Sequence, residues 1–457
     1  MTELNLIQCE GMTPIEEPLP MENETKSSDY DGDAIERMDI TMDFSDDPNA
    51  DEVSARIATL FGQMFGPVPE ICGSQVSLHR MSGALTNRVY IATIDPAPIV
   101  MAYRAPRLLR AKAEQNQQEM VQMPAKYIVR VYGKGSEELL CREKELYWLS
   151  QLSPLGIGPK MHGIFGNGRI EEYLESTMLN NDNVLHASTS RNVARRMCEL
   201  HTLVSYFRPH GSGIPGDRGA EFLNGKAELW NKVDTGMQMI QDKWYAIRHK
   251  ASSNAQCVEL LDNWHKVEET VQKFRALVHQ MRSPLVFTHN DLRPDNILRL
   301  ESNGKIEIID YEYASYNYRG FDIANHFCEL MVDYGHPEHA HLLNLAKYPT
   351  EKQRYNYLRA YIRAKAFIDD NVKANAGTAK TDSAHPMKIH AVKLSDSQIR
   401  KEVEALDREV TFFVTATHLY WGIHGLAKAP ITENSFDYIG HATQRLLLFQ
   451  SQVAGME

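Results

Sequence analysis

Apolar and polar residues alternate in the first part of the chain and follow helical spacing in the second. Over residues 77–98, alternating apolar positions on either side of Gly83 predict two β-strands joined by a glycine turn. Residues 127–132 predict a further strand, and leucines at helical spacing predict a helix over 138–152. We therefore expect a lobe rich in β-strands ahead of residue 176.

Long helical patterns dominate after residue 176. Apolar residues recur with a period of about 3.6 over residues 190–206, 256–281, 351–372 and 397–427. Two short strands are predicted at 284–288 and 306–310, on either side of a dense group of polar residues. Residues 373–395, rich in Ala, Lys, Ser and Asp, predict a loop.

The two patterns together predict an α+β fold with two lobes. We place a small, β-rich N-terminal lobe at residues 53–175 and a large, mainly helical C-terminal lobe at residues 176–457. Neither part contains an internal repeat. The polar group between the two short strands is then the natural place to look for chemistry.

Charge changes this picture only at the N-terminus. Residues 1–52 contain sixteen acidic residues and two basic ones, so this segment carries −14, whereas the whole chain carries −11. Like charges repel and few large apolar residues are present, which predicts a disordered acidic tail over residues 1–52. The rest of the chain is nearly neutral, which argues against a nucleic-acid partner.

Cysteine spacing and hydropathy indicate the compartment. The six cysteines are scattered, without a CxxC pair or a histidine at metal-ligand spacing, as is typical of reduced thiols. No apolar run is long enough to cross a bilayer, and the N-terminus has neither a basic segment nor an apolar segment of the signal-peptide type. We therefore expect a cytoplasmic protein that does not insert into membranes.

The dense polar group has the composition that phosphoryl transfer requires. It reads HNDLRPDN over residues 289–296 and is followed by Asp310, which closes an apolar strand. A carboxylate must orient the attacking hydroxyl, and oxygen ligands must hold Mg²⁺ against the triphosphate. An Asp followed at +5 by an Asn, and then by a second Asp after a strand, resembles the catalytic and metal loops of the protein-kinase superfamily.

These residues receive separate roles. We assign Asp291 as the general base that orients the hydroxyl, and Asn296, Asp310 and Glu312 as oxygen ligands of Mg²⁺. The cofactors expected are ATP and Mg²⁺. The alternative is that these residues only cap turns, since Asn, Asp and Pro are common turn residues. The apolar strand that ends at Asp310 favours the catalytic interpretation.

A longer stretch makes the resemblance more specific. Residues 309–329, IDYEYASYNYRGFDIANHFCE, resemble the signature of choline/ethanolamine kinases. The resemblance extends from about residue 75 to the C-terminus and includes segments 155–165, 167–176, 195–201 and 347–350. It implies a two-lobed protein-kinase-like fold, ATP in the cleft, and phosphorylation of the hydroxyl of choline or ethanolamine, the first step by which these amines enter phospholipids.

The resemblance also implies positions for ATP. Arg130 stands where the superfamily uses a lysine to hold phosphates, and Glu143 is preferred to Glu145 as its ion-pair partner. A loop before the second strand would lay backbone amides over the phosphates, and a segment between the lobes would bind adenine. The nucleotide-site residues so implied are Arg130, Glu143, Ser82, Gly83, Thr86, Asn87, Glu172, Tyr173 and Leu174. The alternatives are a solvent-facing Arg130 and an ordinary linker.

Recognition of the alcohol depends on its amine. The choline cation cannot donate a hydrogen bond and needs aromatic faces, whereas the ethanolamine ammonium needs acceptors. The resemblance places the substrate, beyond Asp291, among Tyr313, Tyr334, Trp421, His424 and His441. The family has a Trp in place of His424 and commonly a Tyr in place of His441. Neutral imidazoles there would favour an amine with an N–H; the alternative is that both histidines only pack.

Two other functions compete with this one. The set of Asp291, Asn296 and Asp310 is shared by kinases of other small alcohols such as aminoglycosides, and an inactive kinase-like binding protein is the third hypothesis. Residues 309–329 argue against a kinase of another alcohol, and the complete set of site residues argues against an inactive binding protein. Since the family's members are often dimeric, a homodimer is the partner considered besides ATP and an amino alcohol.

Overall fold

The computed structural model describes residues 36–38, 40–42, 50–65, 71–81, 87–101, 120–132, 142–206, 227–376, 394–432 and 435–456. Their apolar side chains form two hydrophobic cores. The smaller core contains residues between 38 and 170, and the larger one contains residues between 148 and 453. The predicted α+β fold with two lobes is confirmed.

A six-stranded sheet forms most of the first lobe. Its strands are β1 (Glu36–Met38), β2 (Val76–Arg80), β3 (Asn87–Ile94), β6 (Lys126–Tyr132), β7 (Met161–Phe165) and β8 (Gly168–Glu172). Their spatial order is β1-β7-β8-β6-β3-β2, and every pair except β1–β7 is antiparallel. A separate two-stranded sheet consists of β4 (Ile99–Met101) and β5 (Met120–Gln122).

Helix α1 (Ala50–Phe65) covers one face of the six-stranded sheet. The rings of Phe61 and Phe65 lie 5.0 and 5.8 Å from the ring of Tyr127 on β6. Tyr127, Val129 and Val131 are buried on this face, because alternate residues of a strand point to the same side. The intervening residues of β6 therefore face the opposite side, towards the second lobe.

The predicted tail extends too far along the chain. Strand β1 pairs in parallel with β7, and Met38 and Met42 are buried in the core of the first lobe. The backbone amide of Met42 donates to Asn167 Oδ1 at 2.8 Å, and Asn167 Nδ2 donates back to the Met42 carbonyl at 2.6 Å. The predicted boundary at residue 52 is therefore wrong, because two methionines among acidic residues are too sparse to reveal burial. The rest of the predicted tail lies outside the described residues.

Helices form most of the second lobe, and one described helix lies shortly before it in the chain. They are α2 (Arg142–Leu152), α3 (Asn181–Leu185), α4 (Ala187–Tyr206), α5 (Glu228–Asp242), α6 (Trp244–Lys250), α7 (Ala255–Asp262), α8 (Trp264–Met281), α9 (Arg319–Glu329), α10 (Glu351–Ala376), α11 (Asp396–Lys428) and α12 (Tyr438–Ala454). The pattern over 256–281 predicts one helix, but α7 and α8 are separated at Asn263. Helix α10 enters the predicted loop 373–395, of which residues 377–393 lie outside the described residues. Among the described helices, none combines the length and apolar character needed to cross a membrane.

Two small sheets frame the polar segment. Strands β9 (Ser176–Met178), β11 (Ile297–Leu300) and β12 (Ile306–Ile308) form one, and β10 (Leu285–Thr288) and β13 (Ser315–Tyr318) form the other. Strand β10 ends one residue before His289, and β11 begins directly after Asn296. The catalytic segment, residues 289–296, is thus held at both ends by strands. The sequence predicts the first of these strands and the later strand β12, but it does not predict β11.

Candidate active site

Asp322 holds the beginning of the catalytic segment. The backbone amides of His289 and Asn290 donate to its carboxylate at 2.9 and 2.7 Å. His201 Nε2 lies 2.9 Å from the same carboxylate, and Tyr361 contacts the other nitrogen of that ring at 2.9 Å. Burial alone would raise the pKa of Asp322, but its contacts with His201 and His289 lower the pKa below the usual value. Asp322 is therefore an ionised, buried anchor for the segment.

Asn290 turns the chain so that Asp291 enters the cleft. Its φ of 65° is left-handed, a conformation that Asn adopts more readily than most residues. Its Nδ2 donates to the carbonyl of Tyr313 at 2.9 Å, while its Oδ1 accepts from Thr288 Oγ1 at 3.0 Å and Asn317 Nδ2 at 2.9 Å. Every hydrogen-bonding atom of the side chain is engaged, so the turn is fixed.

Asp291 is the third residue of the segment and is 9% exposed. Its backbone amide donates to His289 Nδ1 at 3.3 Å, and His289 Nε2 lies 2.9 Å from the carbonyl of Ile309. His289 is therefore neutral, with its proton on Nε2, and burial lowers its pKa. Burial raises the pKa of Asp291 well above the usual value; Arg293 opposes this shift and the Glu329 carboxylate adds to it.

Asn296 is held beside Asp291 and Asp310. Its Nδ2 donates to the carbonyl of Asp291 at 2.9 Å, which leaves Oδ1 as the atom able to bind a metal. The backbone amide of Ile309 donates to the carbonyl of Asn296 at 3.0 Å. The structure therefore brings together the three residues that the sequence predicts for the centre of the site.

Three acidic side chains converge on one point at the cleft. Carboxylate oxygens of Glu145, Asp310 and Glu312 all lie within 4.8 Å of one another. Burial, together with the Asp310 and Glu145 carboxylates, raises the pKa of Glu312 to about 7. Asp310 Oδ1 is buried and accepts no hydrogen bond from any described residue. Repelling carboxylates with an unsatisfied oxygen fit a divalent cation that prefers oxygen ligands.

Arg130 reaches this acidic cluster from the first lobe. It lies on the cleft side of β6, and its Nη1 is 3.7 Å from Asp310 Oδ1. Its Nε is 3.9 Å from Glu171 Oε1 on β8. The side chain is 13% exposed, so the alternative of a solvent-facing arginine is wrong. Arg130 thus lies between Glu171 on the neighbouring strand and the acidic cluster across the cleft.

The predicted partner of Arg130 needs correction. Glu143 is exposed, whereas Glu145 is 2% exposed and lies 2.7 Å from Arg169 Nη1 and 2.9 Å from Arg142 Nη1. Glu145 also interacts electrostatically with Arg130. The preference for Glu143 is therefore wrong. Two helix residues two positions apart face different directions, and only one of them can point into the cleft.

A signal for Glu145 is present in the sequence. The inward face of α2 carries residues that are spaced three, four and seven positions apart, which is the spacing of one helix face. Its buried members are Glu145, Trp148, Leu149 and Leu152. Glu145 continues an apolar stripe, whereas Glu143 does not.

Two further charged residues of the site have no sequence signal. Arg169 and Glu171 on β8 are buried and form an ion pair, and Arg169 also binds Glu145. Arg142 lies 3.6 Å from Glu312. Three guanidinium groups therefore share four carboxylates, and one negative charge is in excess when all four are ionised and no metal ion is bound. The groups are Arg130, Arg142 and Arg169 with Glu145, Glu171, Asp310 and Glu312. Charged residues on a strand usually indicate a face that is exposed to solvent, so the sequence pattern does not predict that Arg169 and Glu171 are buried.

The remaining predicted nucleotide contacts are only partly described. Ser82, Gly83 and Thr86 lie outside the described residues, and Asn87 is the first residue of β3. The segment 172–174 runs from β8 to β9 and so connects the sheets of the two lobes. The backbone amide of Glu172 already donates to the carbonyl of Lys160, and the carbonyl of Leu174 accepts from Ser176 Oγ. Adenine binding by Tyr173 and its neighbours stays a prediction.

Three predicted substrate residues form a cluster of rings. The centroids of Tyr313 and Trp421 are 5.6 Å apart, those of Tyr313 and His424 5.8 Å, and those of Trp421 and His424 5.3 Å. Trp421 Nε1 donates to Asn325 Oδ1 at 2.7 Å, and Asn325 Nδ2 donates to the carbonyl of Asn290 at 3.1 Å. The ring cluster is thus linked to the catalytic segment through Asn325.

Tyr334 belongs to a second group that contains a buried ion pair. Its hydroxyl donates to Glu329 Oε2 at 2.7 Å, and the guanidinium of Arg293 lies 3.8 Å from the centre of its ring. Glu329 Oε1 accepts from Arg445 Nη2 at 3.1 Å, and both residues are fully buried. The sequence signature ends at Glu329, but its role is not apparent until Tyr334 and Arg445 are seen around it.

The structure places His441 beside the same ion pair. Its Nδ1 donates to the carbonyl of His341 at 3.0 Å, and its Nε2 accepts from Arg445 Nε at 3.4 Å. Burial lowers the pKa of His441 to about 3, and the Arg445 charge acts in the same direction. Both nitrogens of a neutral ring are therefore engaged. The expectation that His441 offers a lone pair to an amine is wrong.

Comparison with known proteins agrees with this geometry. The family model for choline/ethanolamine kinase matches residues 78–450. A probable choline kinase 2 from Arabidopsis thaliana is 31% identical over 320 residues, covering 70% of this chain and 75% of the relative. The choline kinase of Schizosaccharomyces pombe is 26% identical over 438 residues, 85% of each chain. The crystal structure of a choline kinase from Cryptosporidium parvum Iowa II shares the fold, with a TM-score of 0.58, 21% identity, and coverage of 88% of this chain and 95% of that one. The chain therefore belongs to the choline/ethanolamine kinase family.

Proposed function

We propose that this protein transfers the γ-phosphoryl group of ATP to the hydroxyl of choline or ethanolamine. The observation that carries the proposal is the position of Asp291, which is fixed in the cleft beside the acidic cluster that Arg130 reaches from the other lobe. Relatives named choline kinase, choline/ethanolamine kinase and ethanolamine kinase support the choice of substrate. ATP as the phosphoryl donor follows from the same family.

Asp291 is the residue that acts on the hydroxyl. The hydroxyl oxygen bonds to the γ-phosphorus, the bond from that phosphorus to the β–γ bridging oxygen breaks, and the hydroxyl proton passes to Asp291. A raised pKa makes this carboxylate a better proton acceptor, and such a base is worth about 10²–10⁴-fold in rate. The hydrogen bonds to Asp322 and the turn at Asn290 supply its orientation.

The acidic cluster is the site for the metal. Asp310, Asn296 and Glu312 would hold Mg²⁺, and Glu145 would orient Arg142 and Arg169 beside them. When bound, Mg²⁺ neutralises charge on the phosphates that the reaction transfers and releases. Arg130 binds the same phosphates from the first lobe, where its planar fork suits paired oxygens.

The ring cluster is the site for the amine. An ammonium against the faces of Tyr313 and Trp421 gains about 0.5–2 kcal/mol for each ring. The contacts from Asn290 to Tyr313 and, through Asn325, to Trp421 keep these rings at a fixed position relative to Asp291. Tyr334 lies in the second group, where one side of its ring carries Arg293.

A single assay tests this function. The purified protein is incubated with ATP, Mg²⁺ and, separately, choline, ethanolamine, N-methylethanolamine, N,N-dimethylethanolamine and an aminoglycoside. ADP formation is followed, and the new phosphomonoester is identified by ³¹P NMR. We expect turnover with choline or ethanolamine and none with the aminoglycoside. Mg·ATP binding without turnover of any amine would instead indicate an inactive kinase-like binding protein.

A further inference from the structure

His424 occupies the edge of the ring cluster beside the catalytic segment. It follows Trp421 by three positions on α11, so both side chains lie on the same face of the helix. The three rings meet nearly edge to face, with interplanar angles of 67°, 77° and 85°. His424 therefore adds an imidazole to the two larger aromatic rings of the cluster.

The nitrogens of the His424 imidazole differ from those of His441 in their hydrogen bonds. His441 uses both nitrogens within the protein, whereas His424 makes no hydrogen bond with any described residue and is only partly buried. Burial lowers the pKa of His424 well below the usual value, and the nearby charges of Lys428 and Lys232 act in the same direction. The ring is therefore neutral, with one N–H and one lone pair left for a ligand.

We propose that His424 is a specificity-determining residue that favours amino alcohols whose ammonium group carries at least one N–H. The inference rests on the function proposed above and concerns the amine end of the same site. Under it, ethanolamine and its mono- and dimethylated forms are better substrates than choline.

The physical reason is that the four cations differ in whether they can donate a hydrogen bond to His424. Tyr313 and Trp421 attract any ammonium through their faces, so they distinguish the four amines weakly. The lone pair of His424 accepts a hydrogen bond from an N–H, but a trimethylammonium group has no proton to donate. Choline therefore excludes water from the imidazole without replacing the hydrogen bond, and an unsatisfied polar group is costly. Sites built in this way reject analogues that lack the donor.

The methylation series isolates this effect. Ethanolamine, N-methylethanolamine and N,N-dimethylethanolamine all carry an N–H when protonated, and choline carries none. For the wild-type protein we expect kcat/KM to change little over the first two methylations and to fall about tenfold at the last. The His424→Phe variant keeps a flat ring and removes the lone pair, so its fall at the last step should shrink to about twofold. The His424→Asn variant keeps an acceptor and should retain the discrimination.

A matched substitution provides the control. His265 lies on α8 with an exposed side chain, so His265→Phe repeats the change away from the site and should leave the series unaltered. The KM for ATP is measured for each variant to show that the nucleotide site is intact. A wild-type series without a drop at choline would overturn the inference, and so would a His424→Phe series identical to the wild type. Lack of turnover with every amine would overturn the proposed function and this inference with it.

Discussion

The guanidinium of Arg130 lies 3.7 Å from the carboxylate of Asp310. Arg130 is on the sheet of the first lobe and Asp310 follows a strand of the second, so this ion pair spans the cleft. At this distance it is a loose pair rather than a hydrogen bond, and Asp310 Oδ1 remains unsatisfied. The geometry leaves Asp310 ready to exchange part of its contact with Arg130 for a metal ion.

Asp310→Asn should therefore raise the concentration of Mg²⁺ that the enzyme requires. The substitution keeps the shape of the side chain and removes one of the converging charges. We expect the Mg²⁺ concentration for half-maximal turnover to rise at least about tenfold. Asp262→Asn, on the surface beside Arg248, is a suitable control. An unaltered Mg²⁺ titration would contradict metal binding by Asp310.

Asp291→Ala should separate chemistry from nucleotide binding. The variant loses the carboxylate that orients the hydroxyl, while Arg130 and the acidic cluster remain. We expect kcat to fall by at least about 10²-fold and the dissociation constant for Mg·ATP to stay nearly constant. Steady-state kinetics and calorimetric titration measure the two quantities. Turnover close to that of the wild type would show that Asp291 does not have this role.

Glu145→Gln and Glu143→Gln form a matched pair on α2. Glu145 is buried between Arg142 and Arg169, so its loss leaves two guanidinium groups short of a partner, whereas Glu143 is exposed. We expect Glu145→Gln to lower the free energy of unfolding by about 3 kcal/mol. Glu143→Gln should change it by less than about 0.5 kcal/mol. Urea denaturation of both variants tests the assignment, which equal effects would refute.

Asp322→Asn should destabilise the protein in a pH-dependent way. The pKa of Asp322 in the folded protein is below its usual value of 3.8, so the carboxylate stabilises the fold above that pH. Its contribution is lost as the pH falls from 3.8 towards the folded-state pKa. At pH 7 we expect the variant to unfold about 2–4 kcal/mol more easily. The difference from wild type should narrow below pH 3.8, and a constant difference across this range would argue against an ionised Asp322.

Local patterns account for most of what the sequence reveals. The strands around Gly83 and at 127–132 and the two short strands of the second lobe are present, and so are the long helices, except that the one predicted over 256–281 is divided at Asn263. The order Asp291, Asn296, Asp310 predicts the centre of the site because these residues are close along the chain and lie within three residues of a strand. Such features depend on neighbouring residues, which a single sequence displays.

The features that the sequence does not reveal depend on distant partners. The sequence shows Arg169 only as a charged residue. Its ion pair with Glu145, which lies on a separate helix, is seen only in the structure. The tautomer of His441 depends on the carbonyl of His341, which lies 100 residues away in the chain. The burial of Arg169 and the tautomer of His441 are set by tertiary packing, which the periodicity of β8 and α12 does not record.

Strand β1 has a consequence for shortened forms of the protein. It covers the outer side of β7, which would otherwise be an edge strand with unpaired backbone groups. A protein that begins at residue 53, the boundary that composition alone suggests, loses this strand together with Met38 and Met42. An uncovered edge strand is a template for pairing between molecules. The shortened protein should therefore aggregate, whereas one that begins at residue 36 retains its own protection.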